Sequence, residues 1–208
     1  MRISESHTHY LFYLHGEIVE GSDGHPHSAT YGTYEYNQII ETFSDLGFKV
    51  ISEIRPKHAS VEVHALKVVD EINRLMDTGI PASQITVLGA SKGGIIAATV
   101  SHILEHPQLR YIILAGLFPS LFTKDGIRLH GQVLSIHDSA DRYSISPQLF
   151  FDNSPGLTRY QSVITFTGLG HGLIFRPYPI WVEEVVAWTG AGYATIEETL
   201  SRQRGSRY

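Results

Sequence analysis

The chain has 208 residues, 16 basic and 21 acidic side chains, a formal net charge of −5 and no cysteine. Its length suits one domain that buries a core without staples. The missing cysteines exclude disulfides, thiolate metal sites and a cysteine nucleophile, and the mild acidity argues against a nucleic-acid surface, which would carry a basic stripe. No apolar run approaches the ~20 residues of a membrane-spanning helix. The segment Met1–His7 lacks the apolar stretch of a signal peptide. These features lead us to expect a cytoplasmic protein with neither nucleic-acid nor membrane partners.

Short apolar runs alternate with longer segments of helical period, the pattern of a parallel sheet covered by helices. The first run is Tyr10–Leu14, closed by His15-Gly16-Glu17. A loop rich in Gly, His and Ser follows over Gly16–Tyr31. His25-Pro26-His27 has metal-ligand residue types, but spacing fixes no third ligand beside it, and neither a metal nor another cofactor is expected. Tyr36, Ile39, Ile40, Phe43 and Leu46 recur at helical spacing before Gly47. Strand Phe48–Ile54 ends beside Glu53 and Arg55, read as an ion pair that holds a loop, with substrate contact as the alternative. Leu66, Val69, Ile72 and Met76 predict a second helix, with Gly79 beyond it. Strand Ile85–Leu88 leads into a helix over Ser91–Glu105, stopped by His106-Pro107. Strands Tyr111–Ala115, Gln132–Ile136 and Ser162–Thr167 follow, then a helix over Ile180–Trp188. Ser139–Tyr160 is mixed, with weak helical signal. Residues 1–190 are read as one domain and 191–208 as a polar, partly mobile tail. Most strands are apolar almost throughout, which suits burial on both faces. The expected architecture is a three-layer α/β/α sandwich with a mainly parallel sheet.

Chemistry concentrates around Gly89-Ala90-Ser91-Lys92-Gly93, a G-x-S-x-G run between a β-branched strand and an apolar helix. The turn is tight, so side chains two residues either side of the serine would collide with backbone. It lifts Oγ clear of the sheet at a helix N-terminus, where free N–H groups and the dipole favour an oxyanion. A serine hydroxyl needs a base. His171, between Gly170 and Gly172 after the last strand, has the position and the freedom to reach back. Asp138 and Asp141, behind strand Gln132–Ile136, are the candidate acids that would orient it. Asp141 is preferred, because five residues past the strand give the loop room to turn back.

Leu14-His15-Gly16, then Gly89-Ala90-Ser91-Lys92-Gly93, Asp141 and Gly170-His171 resemble the α/β-hydrolase superfamily in order and spacing, over roughly residues 10–190. The lead-in Gly79–Val87 is similar to that of dienelactone-hydrolase-like and prolyl-oligopeptidase-like members. The sequence departs from the pattern in holding Asp138 where members often carry Gly. The resemblance implies Ser91, Asp141 and His171 as a catalytic triad. It also implies an oxyanion hole from the N–H of Lys92 with that of Gly16 or Glu17. Only a short stretch, Gly116–Gly131, lies where larger relatives insert a cap. Phe118 and Phe122 within it are candidate walls of an acyl pocket, with a core role as the alternative. The expected partner is a small acyl substrate, cleaved through an acyl-enzyme. Transfer to another alcohol, or binding without catalysis on the same fold, are the competing readings.

Overall fold

The computed structural model describes residues 8–121 and 126–190; the expectations for the tail and for Phe122 lie outside the described residues. In chain order the elements are β1 (Tyr10–Leu14), the two-residue strands β2 (His27–Ser28) and β3 (Gly32–Thr33), α1 (Tyr36–Asp45), β4 (Lys49–Ile51), α2 (Val61–Asp77), β5 (Ile85–Ala90), α3 (Lys92–Leu104), β6 (Arg110–Leu114), β7 (His130–Asp138), α4 (Gln148–Asp152), β8 (Gly156–Thr165) and α5 (Pro179–Thr189). Six of the strands form one sheet in the order β4-β1-β5-β6-β7-β8, with every neighbouring pair parallel. Strands β2 and β3 make a separate antiparallel ribbon.

Side chains of a strand alternate between faces, and here both faces are apolar. Leu11 and Tyr13 join Leu88, Ile112 and Leu134 against α1 and α5. Phe12 and Leu14 join Val87, Tyr111 and Val133 against α2, α3 and α4. Each such core side chain stabilises the layers by about 1.5–3 kcal/mol when fully buried. α1 turns Tyr36, Ile39 and Phe43 to the sheet, and α2 turns Ala65, Val69 and Ile72.

Several boundaries differ from the sequence reading. β7 ends at Asp138 rather than Ile136, so Asp138 belongs to the strand and Asp141 stands three residues past its end, not five. α2 starts at Val61, a turn before its apolar period, because the Ser60 hydroxyl caps it by accepting from the Val63 N–H at 3.2 Å. The run Phe48–Ile54 pairs only over Lys49–Ile51. Beyond that it peels off to bond the end of β1: Ser52 Oγ donates to the Tyr13 carbonyl at 2.6 Å and the Arg55 N–H to His15 Nε2 at 3.1 Å. β8 begins at Gly156 rather than Ser162; Thr158, Arg159, Tyr160 and Gln161 lie exposed on an edge strand and carry no apolar signal.

From β1 the chain crosses to the edge at β4 and returns to β5 on the other side of β1. This reversal opens a crevice at the carboxyl ends of β1 and β5, where open α/β sheets place their ligands. Gly16 and Ser91 face each other there.

Candidate active site

Ser91 joins β5 to α3 with φ 51° and ψ −118°, a sparsely populated conformation that costs about 1–3 kcal/mol. Its neighbours explain how the turn closes. A Cβ on Gly89 would land on the Gly93 carbonyl, and one on Gly93 on the Leu14 carbonyl. The Ser91 N–H is tied to the Leu114 carbonyl at 2.9 Å, and its own carbonyl accepts from Gly94 and Ile95. Helix geometry leaves the first N–H groups of α3, those of Lys92 and Gly93, without an intrahelical acceptor.

Ser91, His171 and Asp141 are brought together. His171 Nε2 lies 3.0 Å from Ser91 Oγ, and Nδ1 lies 2.8 Å from Asp141 Oδ2. A carboxylate only accepts, so Nδ1 carries the proton and Nε2 presents its lone pair to the hydroxyl. Burial raises the Asp141 pKa, but hydrogen bonds from His171, the Tyr143 N–H and the Ser144 hydroxyl outweigh it and hold the carboxyl below its usual value.

Asp138, the other candidate acid, does different work. It is the last residue of β7 and fully buried. Its carboxylate accepts from the Thr167 N–H (2.8 Å) and hydroxyl (2.7 Å), the Thr165 hydroxyl (2.9 Å), the Ala140 N–H (3.0 Å) and the Gly170 N–H (3.1 Å). Against the opposing effect of burial, these bonds hold its pKa far below the ordinary value. Asp138 thus pins the loop that leads into His171 and leaves the imidazole to Asp141.

On the opposite side of Ser91, Gly16 packs so close that a Cβ there would sit 3.5 Å from the Ser91 Cβ. His15, fully buried, places Nδ1 2.8 Å from the Gly16 carbonyl while Nε2 accepts from the Arg55 N–H. The imidazole is therefore neutral and protonated on Nδ1; burial, helped by Arg55, pushes its pKa down to about 4. A trans peptide sets C=O and N–H in opposite directions, so anchoring the Gly16 carbonyl aims the Glu17 N–H away from His15. Arg55 acts on this loop as expected, but its carboxylate partner is Glu20, at 3.3 Å. Glu53 instead faces His64 at 3.4 Å and Lys67 at 4.0 Å.

The cleft above Ser91 encloses about 320 Å3. Phe118 lines it, as do Tyr31, Tyr143, Ile18, Ile174 and Phe175. Tyr31, beside the β2–β3 ribbon, stands 6.4 Å from the His171 ring and 5.3 Å from Phe175. Tyr143 lies edge-on to His171 at 5.2 Å. A second cavity of about 310 Å3 between β4 and α2 holds none of these reactive groups. His27 opens β2 and His25 lies two residues before it, and among the described residues no three metal-ligating side chains converge. No helix of the described residues is long and apolar enough to cross a membrane.

Sequence reasoning missed Tyr31, Tyr143 and Glu20. All three sit in segments without periodicity, and Glu20 meets Lys92 across 72 positions, a distance no local pattern signals.

No protein-family model matches the sequence, and no curated protein is significantly similar to it. Solved structures do match. An α/β-hydrolase enzyme from a Medee basin deep-sea metagenome library superposes with a TM-score of 0.59 at 14% identity, over 90% of this chain and 88% of that one. Esterase B from Lactobacillus rhamnosis gives 0.61 at 11% identity, over 97% and 81%. An esterase from Pyrococcus furiosus gives 0.56 at 13% identity, over 95% and 84%. At such identities the likeness concerns architecture, and together with the all-parallel sheet and the strand–turn–helix at Ser91 it leads to one conclusion: the chain has the α/β-hydrolase fold.

Proposed function

We propose that this chain is a serine hydrolase that cleaves carboxylic esters or related acyl bonds through an acyl-enzyme on Ser91. The observation that carries this reading is the unbroken line from Ser91 Oγ to His171 to Asp141, at 3.0 and 2.8 Å, with the serine in the strained turn. The esterases among the structural neighbours support it.

As Ser91 Oγ bonds to the substrate carbonyl carbon, its proton passes to His171 Nε2, and Asp141 stabilises the imidazolium. The carbonyl oxygen becomes an oxyanion held by the N–H groups of Lys92 and Glu17. Collapse breaks the bond to the leaving alkoxide, which takes the proton from Nε2. Water then repeats the sequence, with His171 as base, and releases the acid and free Ser91. The groups involved are side chains and backbone N–H groups of this chain, with water as the second nucleophile.

Removing a triad nucleophile costs on the order of a million-fold in kcat. Ser91→Ala is therefore expected to abolish p-nitrophenyl butyrate hydrolysis while circular dichroism stays unchanged. Turnover of the variant at the parent rate would contradict the assignment.

A further inference from the structure

We propose that Glu20 is a positioning residue for the oxyanion hole: its buried carboxylate clamps together the two chain segments that carry the hole's donors. This rests on the hydrolase reading above. One donor belongs to Lys92, the first residue of α3. The other belongs to Glu17, the first residue of the 3-10 turn Glu17–Val19, which Glu20 terminates.

The Lys92 ammonium reaches back over the crevice to both oxygens of Glu20, at 2.9 Å from Oε1 and 3.0 Å from Oε2. The same carboxylate accepts from Arg55 Nε at 3.3 Å and from the Ala59 N–H at 3.3 Å. Arg55 Nη2 then donates to the His15 carbonyl at 2.5 Å, and its N–H donates to the His15 ring. His15 Nδ1 closes the circuit on the Gly16 carbonyl, which sets the direction of the Glu17 N–H. A continuous path of polar contacts thus runs from one donor residue to the other, with Glu20 at its centre.

Burial argues against a role in stability alone. The side chains of Glu20 and Arg55 are each only 2% exposed and that of Lys92 15%. Desolvating such groups is costly, and the attraction between them only roughly offsets it, so an apolar replacement is often as stable. What an apolar cluster lacks is direction. Donors of an oxyanion hole must stand 2.7–3.1 Å from the developing charge (about the tolerance of one hydrogen bond), and removing one costs ~10²–10³ in kcat. Glu17 itself meets Lys92 only at 3.4 Å through an exposed carboxylate, and so cannot replace the clamp.

Two variants test this on the full-length protein. Lys92→Met keeps the Lys92 N–H but cannot reach Glu20; Glu20→Gln keeps the shape but loses the charge. For each, kcat and KM for p-nitrophenyl butyrate are measured beside the Ki of phenylboronic acid, which forms a tetrahedral serine adduct. The clamp predicts a fall in kcat of about tenfold or more, a matching rise in Ki, and KM within twofold of the parent. That split marks a group acting only on the transition state. Unchanged kcat and Ki with a lowered Tm, or a rise in KM alone, would overturn the proposal. If Glu20→Gln fails to fold, Lys92→Met decides, because Arg55 still pairs with Glu20 there. Fluorophosphonate labelling of the parent keeps the two readings apart. A labelled parent with unaffected variants overturns the clamp alone, whereas a parent that does not label overturns the hydrolase reading and the clamp with it.

Discussion

The β5–α3 turn and the loops after β7 and β8 meet at the Ser91–His171 hydrogen bond, yet different forces hold them. The turn is steric. Gly89 and Gly93 let three backbone segments approach, Leu14 and Gly93 among them, and apolar packing on both faces of β5 fixes the rest. The loops are polar. One buried carboxylate, Asp138, gathers donors from Ala140, Thr165, Thr167 and Gly170 and so sets where Asp141 and His171 stand. A serine nucleophile needs one rigid posture, which excluded volume supplies locally. An acid–base pair must be aligned across two loops 30 positions apart, and directional bonds do that.

This contrast separates the two aspartates by the kind of loss each variant suffers. Asp141→Asn should lose up to ~10⁴ in kcat, by analogy with the same change in a serine protease, while its Tm falls less than that of Asp138→Asn, because fewer donors converge on Asp141. Asp138→Asn should lose stability first, by about 2–3 kcal/mol, because an amide cannot satisfy all the buried donors. It should keep more activity than Asp141→Asn. Parallel kinetics and thermal melts check both, and the reverse ranking would exchange the roles of the two residues.

Acid should weaken the two sides of the crevice at different pH. The folded His15 pKa, about 4, lies below the unfolded value of 6.5. Below pH 6.5 the unfolded chain takes up a proton that the folded chain refuses, so stability falls as pH drops toward 4. The gap is worth about 3 kcal/mol at ~1.4 kcal/mol per pH unit. His64 and His137, lowered mainly by burial, act in the same sense. The carboxyl of Asp138 stays ionised through this window, and its contribution is lost only below pH 4. Urea midpoints at pH 7 and 4.5 should differ accordingly; equal midpoints would contradict a neutral, buried His15.

The smallest effect concerns the cleft wall. The short stretch after β6 leaves no room for a large cap, and Tyr31 lines the cleft beside Phe175. Short acyl chains should therefore be preferred. Tyr31→Ala should move the optimum along a C2–C8 p-nitrophenyl ester series toward longer chains, by up to ~0.8 kcal/mol per newly buried methylene. An unchanged profile would remove Tyr31 from the specificity wall.

The same contrast explains what the sequence made legible. Strands buried on both faces are apolar runs, so β1, β5, β6 and the core of β7 could be read directly. The Ser91 turn could be read because its steric demand falls on neighbouring residues. His171 was marked by flanking glycines, and Asp141 by its place on the loop beyond β7, although the strand runs two residues further than its apolar run suggested. The first half of β8 was hidden because an exposed edge strand needs no apolar residues, as Thr158 and Gln161 illustrate. The Asp138 hub and the Glu20 clamp were hidden because their partners lie far along the chain: Thr167 is 29 positions from Asp138 and Arg55 is 35 from Glu20. Long-range polar bonds leave no periodicity to find.

Fluorophosphonate treatment followed by peptide mapping, with labelling rates for the parent and His171→Gln, tests whether His171 activates Ser91. One adduct is expected, on Ser91, forming at least ~100-fold more slowly in the variant, the low end of what a general base contributes. An adduct on another serine, or equal rates in the two proteins, would contradict that activation.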